Sequence, residues 1–142
     1  MGVLKDLVLA NPEDAEAIAE NIDWRDHFEN MHGVDDVNLA YLLIVLRGWR
    51  PKFSKVLAEI KLLHQASDEG PWVQQAPKDF VDSMVSLNKS ELSEVASRWL
   101  ETGEFSTPNI DVKEAIDYLM QVQKFCKTAQ KKKKSVLLWT CL

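Results

Sequence analysis

The chain has 142 residues, 46% of them hydrophobic and 27% charged, with a formal net charge of -5. That size and balance fit one ordinary globular domain, residues 1–142, and lie far from the disordered, collagen-like and disulfide-stapled classes. The acidic total disfavours a dedicated nucleic-acid binder, and the longest interior apolar run, LAYLLIVL, is too short to span a bilayer. In chain order, Leu7, Val8 and Leu9 before Asn11-Pro12 predict a short strand. NPEDAEAIAENI predicts a helix: Asn11 caps, Pro12 fits the first helical position, and Ala15, Ile18, Ala19 and Ile22 form its apolar stripe. DWRDHFENMHGVDD is polar and reads as irregular, with Gly33 as a break.

DDVNLAYLLIVLRGW predicts the most buried helix, capped by Asp35 or Asp36 and closed at Gly48, because it is apolar nearly all round. From Pro51, the residues Phe53, Val56, Leu57, Ile60 and Leu63 keep helical spacing. The alternative for the end of that stretch is a hairpin near 60–75, since IKLLHQ and WVQQAP flank the turn signal SDEGP. Pro77 opens a short helix carrying Phe80, Val81, Met84, Val85 and Leu87. Asn88 and Glu91 have capping-box spacing before a helix that stops at Gly103. Asp111 and Glu114 open the longest helix. Its inner side reads as Ala115, Ile116, Leu119, Met120, Gln123 and Cys126, widened by Val122, Phe125 and Ala129. The fold class is therefore mainly α (α+β): a helical bundle with a small sheet built from the chain ends.

The last twelve residues, KKKKSVLLWTCL, have two readings. A basic tail could grip phosphate, but it would not run straight into an apolar segment. Cations in the last turn of a helix oppose its negative end. Val136 to Leu142, left dangling, would expose a large apolar surface. Lys131 to Lys134 are thus expected to finish a helix, and the residues from Val136 to close the domain as a strand beside Leu7 to Leu9.

Candidate chemistry is sparse. No GxSxG, GxGxxG or GxxxxGK[ST] pattern occurs, so no cofactor is expected and no catalytic set assembles. Cys126 and Cys141 form no CxxC pair, which suits reduced thiols in a cytoplasmic protein. The start turns acidic too soon for a signal peptide, and Asp6 stands where a myristoylation signal after Gly2 needs Ser or Thr. Cys141 sits next to last, which is not a prenylation box. His27, Glu29 and His32 are the candidate metal ligands, set against a solvated acidic loop. The two histidines are five apart, which is not a helical ligand spacing. His64, alone among apolar residues, reads as a core or boundary histidine. RGWRPKFSK interleaves Arg47, Arg50, Lys52 and Lys55 with Trp49 and Phe53, the mixture that single-stranded nucleic acid favours. The competing reading is a helix junction with rings inward and charges outward.

MGVLKDLVLANPEDAEAI, the central GPWVQQAPKDFVDSMVSLNKSELSEVASRW and the closing VKEAIDYLMQVQKFCKTAQKKKKSVLLWTCL together resemble a group of small uncharacterised bacterial proteins. In that group a long amphipathic helix ends in a basic turn and a closing LW-x-x-L strand, here Leu138, Trp139 and Leu142. The layout is also similar to YfbM-like domains of unknown function, which open on a strand beginning Met-Gly and close on a strand. The resemblance implies a bacterial cytosolic domain of mixed helical fold, and it carries over no activity and no site residues.

Function is read mainly from charge. Met1 to Asp36 is strongly acidic, and the chain after Asp117 carries only basic charges. The leading expectation is a non-enzymatic protein-interaction domain. Its concrete form is an immunity-type protein that neutralises a basic toxin through a surface containing Glu13, Glu16 and Glu20. The alternatives are a metal protein or enzyme at His27 and His32, and a nucleic-acid binder using Arg47, Arg50, Lys52 and the terminal lysines. A strand edge at the chain ends leaves pairing between protomers open.

Overall fold

The structure, a computed structural model, describes residues 4–105 and 110–142. Met1 and Gly2, which open the resemblance and the myristoylation reading, lie outside the described residues. Strand β1 (Leu4–Ala10) pairs antiparallel with strand β5 (Ser135–Cys141), from Leu4 opposite Cys141 to Ala10 opposite Ser135. Strands β2 (Asn30–His32), β3 (Lys61–Gln65) and β4 (Trp72–Gln75) complete a five-stranded sheet in the order β2-β1-β5-β4-β3. The chain ends therefore form its centre, as expected from Leu7 to Leu9 and the closing apolar run.

The sheet is covered on both faces. Leu7, Leu9, Val136 and Leu138 point into the larger core. That core is shared with helices α2 (Asp36–Leu46), α3 (Phe53–Glu59), α4 (Lys78–Ser86), α5 (Lys89–Glu101) and α6 (Val112–Lys132). Val8, Ala10, Leu137 and Trp139 point the other way, onto helix α1 (Ala15–Glu20) and Trp24. Burial on both faces is why VLLW is a continuous apolar run rather than an alternating one. Among the described residues, no helix is long and apolar enough to cross a membrane.

The helix starts follow from local chemistry. Asp35 accepts from the Asn38 amide at 2.8 Å, and Asn38 Oδ1 accepts from the Asp35 amide at 3.2 Å. Asn88 and Glu91 make the same reciprocal pair at 2.8 and 3.0 Å. Asp111 accepts from the Glu114 amide at 2.8 Å. At the other end of α6, Lys131 and Lys132 occupy the last turn, and Lys133 turns left-handed with φ 56. The Lys134 amide then donates to the Ala129 carbonyl at 2.9 Å, a helix-ending bond that sends the chain into β5.

Five expectations need correction or a choice between alternatives. Residues 24–33 are not wholly irregular. Trp24–Asp26 is a 3-10 turn, and Asn30–His32 is an edge strand whose Asp6–His32 and Val8–Asn30 pairs lie along β1. A three-residue edge strand is too short to show a period of two. Gly33, read as a break, lies against β1 instead: a Cβ there would come within 2.6 Å of the Leu7 nitrogen. The first helix ends at Glu20, so Ile22 leaves the apolar stripe and is 99% exposed. The helix after Pro51 stops at Glu59, and Lys61–Gln65 pairs with Trp72–Gln75, which selects the hairpin alternative. On α6 the buried line is Ala115, Leu119, Val122, Cys126 and Ala129, while Met120 faces out. Met120 follows Leu119 by about 100°, enough to leave the seam. Gln123 stays inside because its amide donates to the Met84 and Leu87 carbonyls at 3.0 and 2.7 Å, closing the end of α4.

Cys126 is fully buried, as expected of a small core residue, and burial pushes its thiol from 9.0 up to about 12. The unfolded chain ionises first, so this group's contribution is intact below pH 9 and is lost as pH rises toward about 12. Its slope is about 1.4 kcal/mol per pH unit. The stability advantage of the wild type over Cys126→Ala is therefore expected to shrink across that range in urea titrations. A constant gap would contradict the burial.

Candidate functional site

Helix α1 lays Ala15, Ile18 and Ala19 on the sheet, which turns Glu13, Glu16 and Glu20 outward. The exposed surface continues through Asn21, Ile22, Asp23 and Asp26. The predicted acidic residues are therefore all exposed, and Ile22 follows Glu20 just beyond the end of the helix. Glu20 is partly engaged, since His64 Nε2 lies 3.0 Å from its Oε1 and ties β3 to α1. That contact places His64 at a boundary. No ion pair holds Glu13 or Glu16 among the described residues.

A cleft of about 340 Å³ adjoins this face, between Glu20, Ile22, Trp24, Arg25, Pro71 and Trp139. Its wall is rigid. Trp24 and Trp139 are buried, with ring centroids 5.2 Å apart. The Arg25 guanidinium lies 4.6 Å from each ring, and its Nε donates to Asp6 Oδ2 at 2.9 Å. An arginine stacked on two rings and fixed by a carboxylate holds the turn after α1 against the sheet. The Trp139 indole N–H has no acceptor among the described residues.

The candidate metal ligands do not converge. His27 faces Asp23 at 3.4 Å across one turn. Glu29 pairs with Lys132 at the end of α6. His32 sits on β2, its ring 6.4 Å from that of Tyr118. Among the described residues, no group of three or more His, Cys, Asp or Glu stands where it could hold a metal ion. In RGWRPKFSK, Arg47 is bound to Glu59 at 2.7 Å and to Asp79 at 2.9 Å, which raises its pKa further above the ordinary range. Phe53 stacks inward on Tyr41 at 4.8 Å, and Trp49 is exposed. The segment therefore divides between the two readings: Arg47 and Phe53 serve the junction, while Trp49, Arg50 and Lys52 face solvent.

Sequence reasoning missed one feature altogether. A concavity of about 410 Å³ lies where α4, the end of α6 and the start of β5 meet, and it includes Lys78, Lys133 and Lys134. Its two parts, residues 75–82 and 129–136, lie far apart in the chain, so no local pattern marks it.

The chain matches no protein-family model and no curated protein. In structure it is similar to a crystal structure of a protein of unknown function, YfbM from Escherichia coli. The two share 15% sequence identity, with a TM-score of 0.47 over 98% of this chain and 99% of that one. The layout expected from the sequence, opening and closing on a strand, is also similar to that of YfbM-like domains of unknown function.

Proposed function

We propose that this chain is a protein-binding domain of immunity type, which takes a basic partner on the surface of Glu13, Glu16, Glu20 and Ile22. The supporting observation is Ile22, 99% exposed just after α1 and lining one cleft with Glu20. A lone exposed isoleucine costs the free protein little, yet burying it gains roughly 2–3 kcal/mol. An apolar anchor inside a charged rim is the usual anatomy of a binding patch. The carboxylates steer a cationic partner and set its orientation. The stacked Arg25 keeps the turn rigid, so little order is lost on docking.

The test uses affinity capture followed by calorimetric titration of the captured basic protein. Ile22→Ala is expected to leave the melting temperature unchanged and to weaken binding about tenfold or more. Joint Glu13→Lys and Glu16→Lys substitution is expected to slow association and to flatten its salt dependence. Unchanged affinity in both variants would overturn the reading.

A further inference from the structure

The concavity of about 410 Å³ has an apolar floor and a cationic mouth. Ala76, Val81, Ala129 and Val136 form the floor, and each is buried. Lys78, Lys133 and Lys134 stand at the mouth, and all three are exposed. The chain holds 22 acidic residues against 17 lysines and arginines, so carboxylate partners are plentiful. Lys5, Arg25, Arg98 and Lys132 each use one, and Arg47 uses two. Among the described residues, the three lysines that line this concavity hold no carboxylate. The lining's own carboxylate, Asp82, is occupied by the Gln130 amide at 3.0 Å. Lys133 also holds a left-handed backbone at φ 56, a position that glycine ordinarily fills at the end of a helix. A lysine there accepts backbone strain, and it lines the concavity.

We propose that this concavity binds a small phosphate-bearing molecule. Three lysines lining one concavity supply the positive charge and donors that suit the near-double charge and three terminal oxygens of a phosphomonoester. A carboxylate would leave part of that charge unmatched. Lysines hold phosphate as point charges and need no glycine-rich loop. The apolar floor takes the organic part, and the volume is that of a small-molecule pocket, roughly 300–1,000 Å³. This site is separate from the acidic surface, and neither reading depends on the other.

The experiment titrates the full chain with inorganic phosphate and with AMP, at an ionic strength held constant by chloride. Amide NMR shifts over residues 129–136 provide the readout. Saturable shifts are expected from both ligands, with AMP binding several-fold tighter because the floor contributes. Lys133→Gly separates binding from folding. It relieves the left-handed backbone, so the melting temperature holds or rises, while affinity for either ligand falls about tenfold. Lys134→Gln is expected to weaken binding similarly. The absence of saturable shifts at tens of millimolar ligand would overturn the proposal. So would wild-type affinity in Lys133→Gly, or equal shifts from chloride alone.

Discussion

Replacing Leu138 by alanine is expected to destabilise the protein by about 3–5 kcal/mol and to lower its melting temperature by roughly 10 °C or more. Leu138 is fully buried in β5, opposite Leu7 on one side and Gln74 on the other. Its side chain enters the larger core with Leu9 and Val136. The cost of such a truncation depends on how far the surroundings can close the gap. Here they can close little, because β5 is held by backbone bonds to β1 and β4 at once. Its neighbours on the face are fixed by the same register. Leu142→Ala is the control: that residue is 64% exposed and lies beyond the end of β5, so its truncation should cost less than about 0.5 kcal/mol. Urea unfolding followed by tryptophan fluorescence gives both numbers. If the two variants differ by less than about 1 kcal/mol, the central position of the closing strand is wrong.

The parts of this fold that were legible in the sequence are those whose causes are local or strongly one-sided. Asp35, Asn88 and Asp111 announce their helices because a cap and its amide partner lie within one turn. The run from Val136 to Trp139 announces a buried strand because its apolar side chains have no other place to go. Ile22 misled because helical spacing says which residues share a face but not where the helix ends. Lys61–Gln65 was ambiguous because LL inside a short run fits either period. The same division governs function. The acidic face was readable, since Glu13, Glu16 and Glu20 sit on one short segment whose apolar residues must point inward. The stack of Trp24, Arg25 and Trp139 joins residues more than a hundred positions apart and depends on β5 lying beside β1. The lysines divide between both cases. Lys132 finishes α6 and pairs with Glu29, as a helix-ending cation should. Lys133 and Lys134 acquire a second setting only because α4 packs against the end of α6.

Asn38→Ala is expected to cost about 2–4 kcal/mol, more than any surface polar substitution in this chain. Asn38 is a polar residue only 5% exposed, at the start of α2. Its Oδ1 accepts from Lys5 Nζ at 3.0 Å and from the Asp35 amide at 3.2 Å. Its Nδ2 donates to the Glu104 carbonyl at 3.0 Å. Its backbone carbonyl accepts from the buried Trp99 indole at 3.1 Å. One side chain thus links β1, the cap of α2 and the segment after α5, and the backbone beneath it anchors the largest core ring. Alanine removes three bonds and leaves the Asp35 amide and the Glu104 carbonyl without their partner, so desolvation adds to the lost attraction. The Trp99 bond survives, because it uses the main chain, which keeps the loss below that of removing the ring itself. Lys5→Met serves as the second arm of a double-mutant cycle. Lys5 also pairs with Asp35 at 3.2 Å, so the two substitutions are expected to couple by about 1 kcal/mol rather than add. Additive losses would mean that Lys5 acts through Asp35 alone. An Asn38→Ala cost below about 1 kcal/mol would mean that water replaces all three bonds, and the node would not be a determinant of the fold.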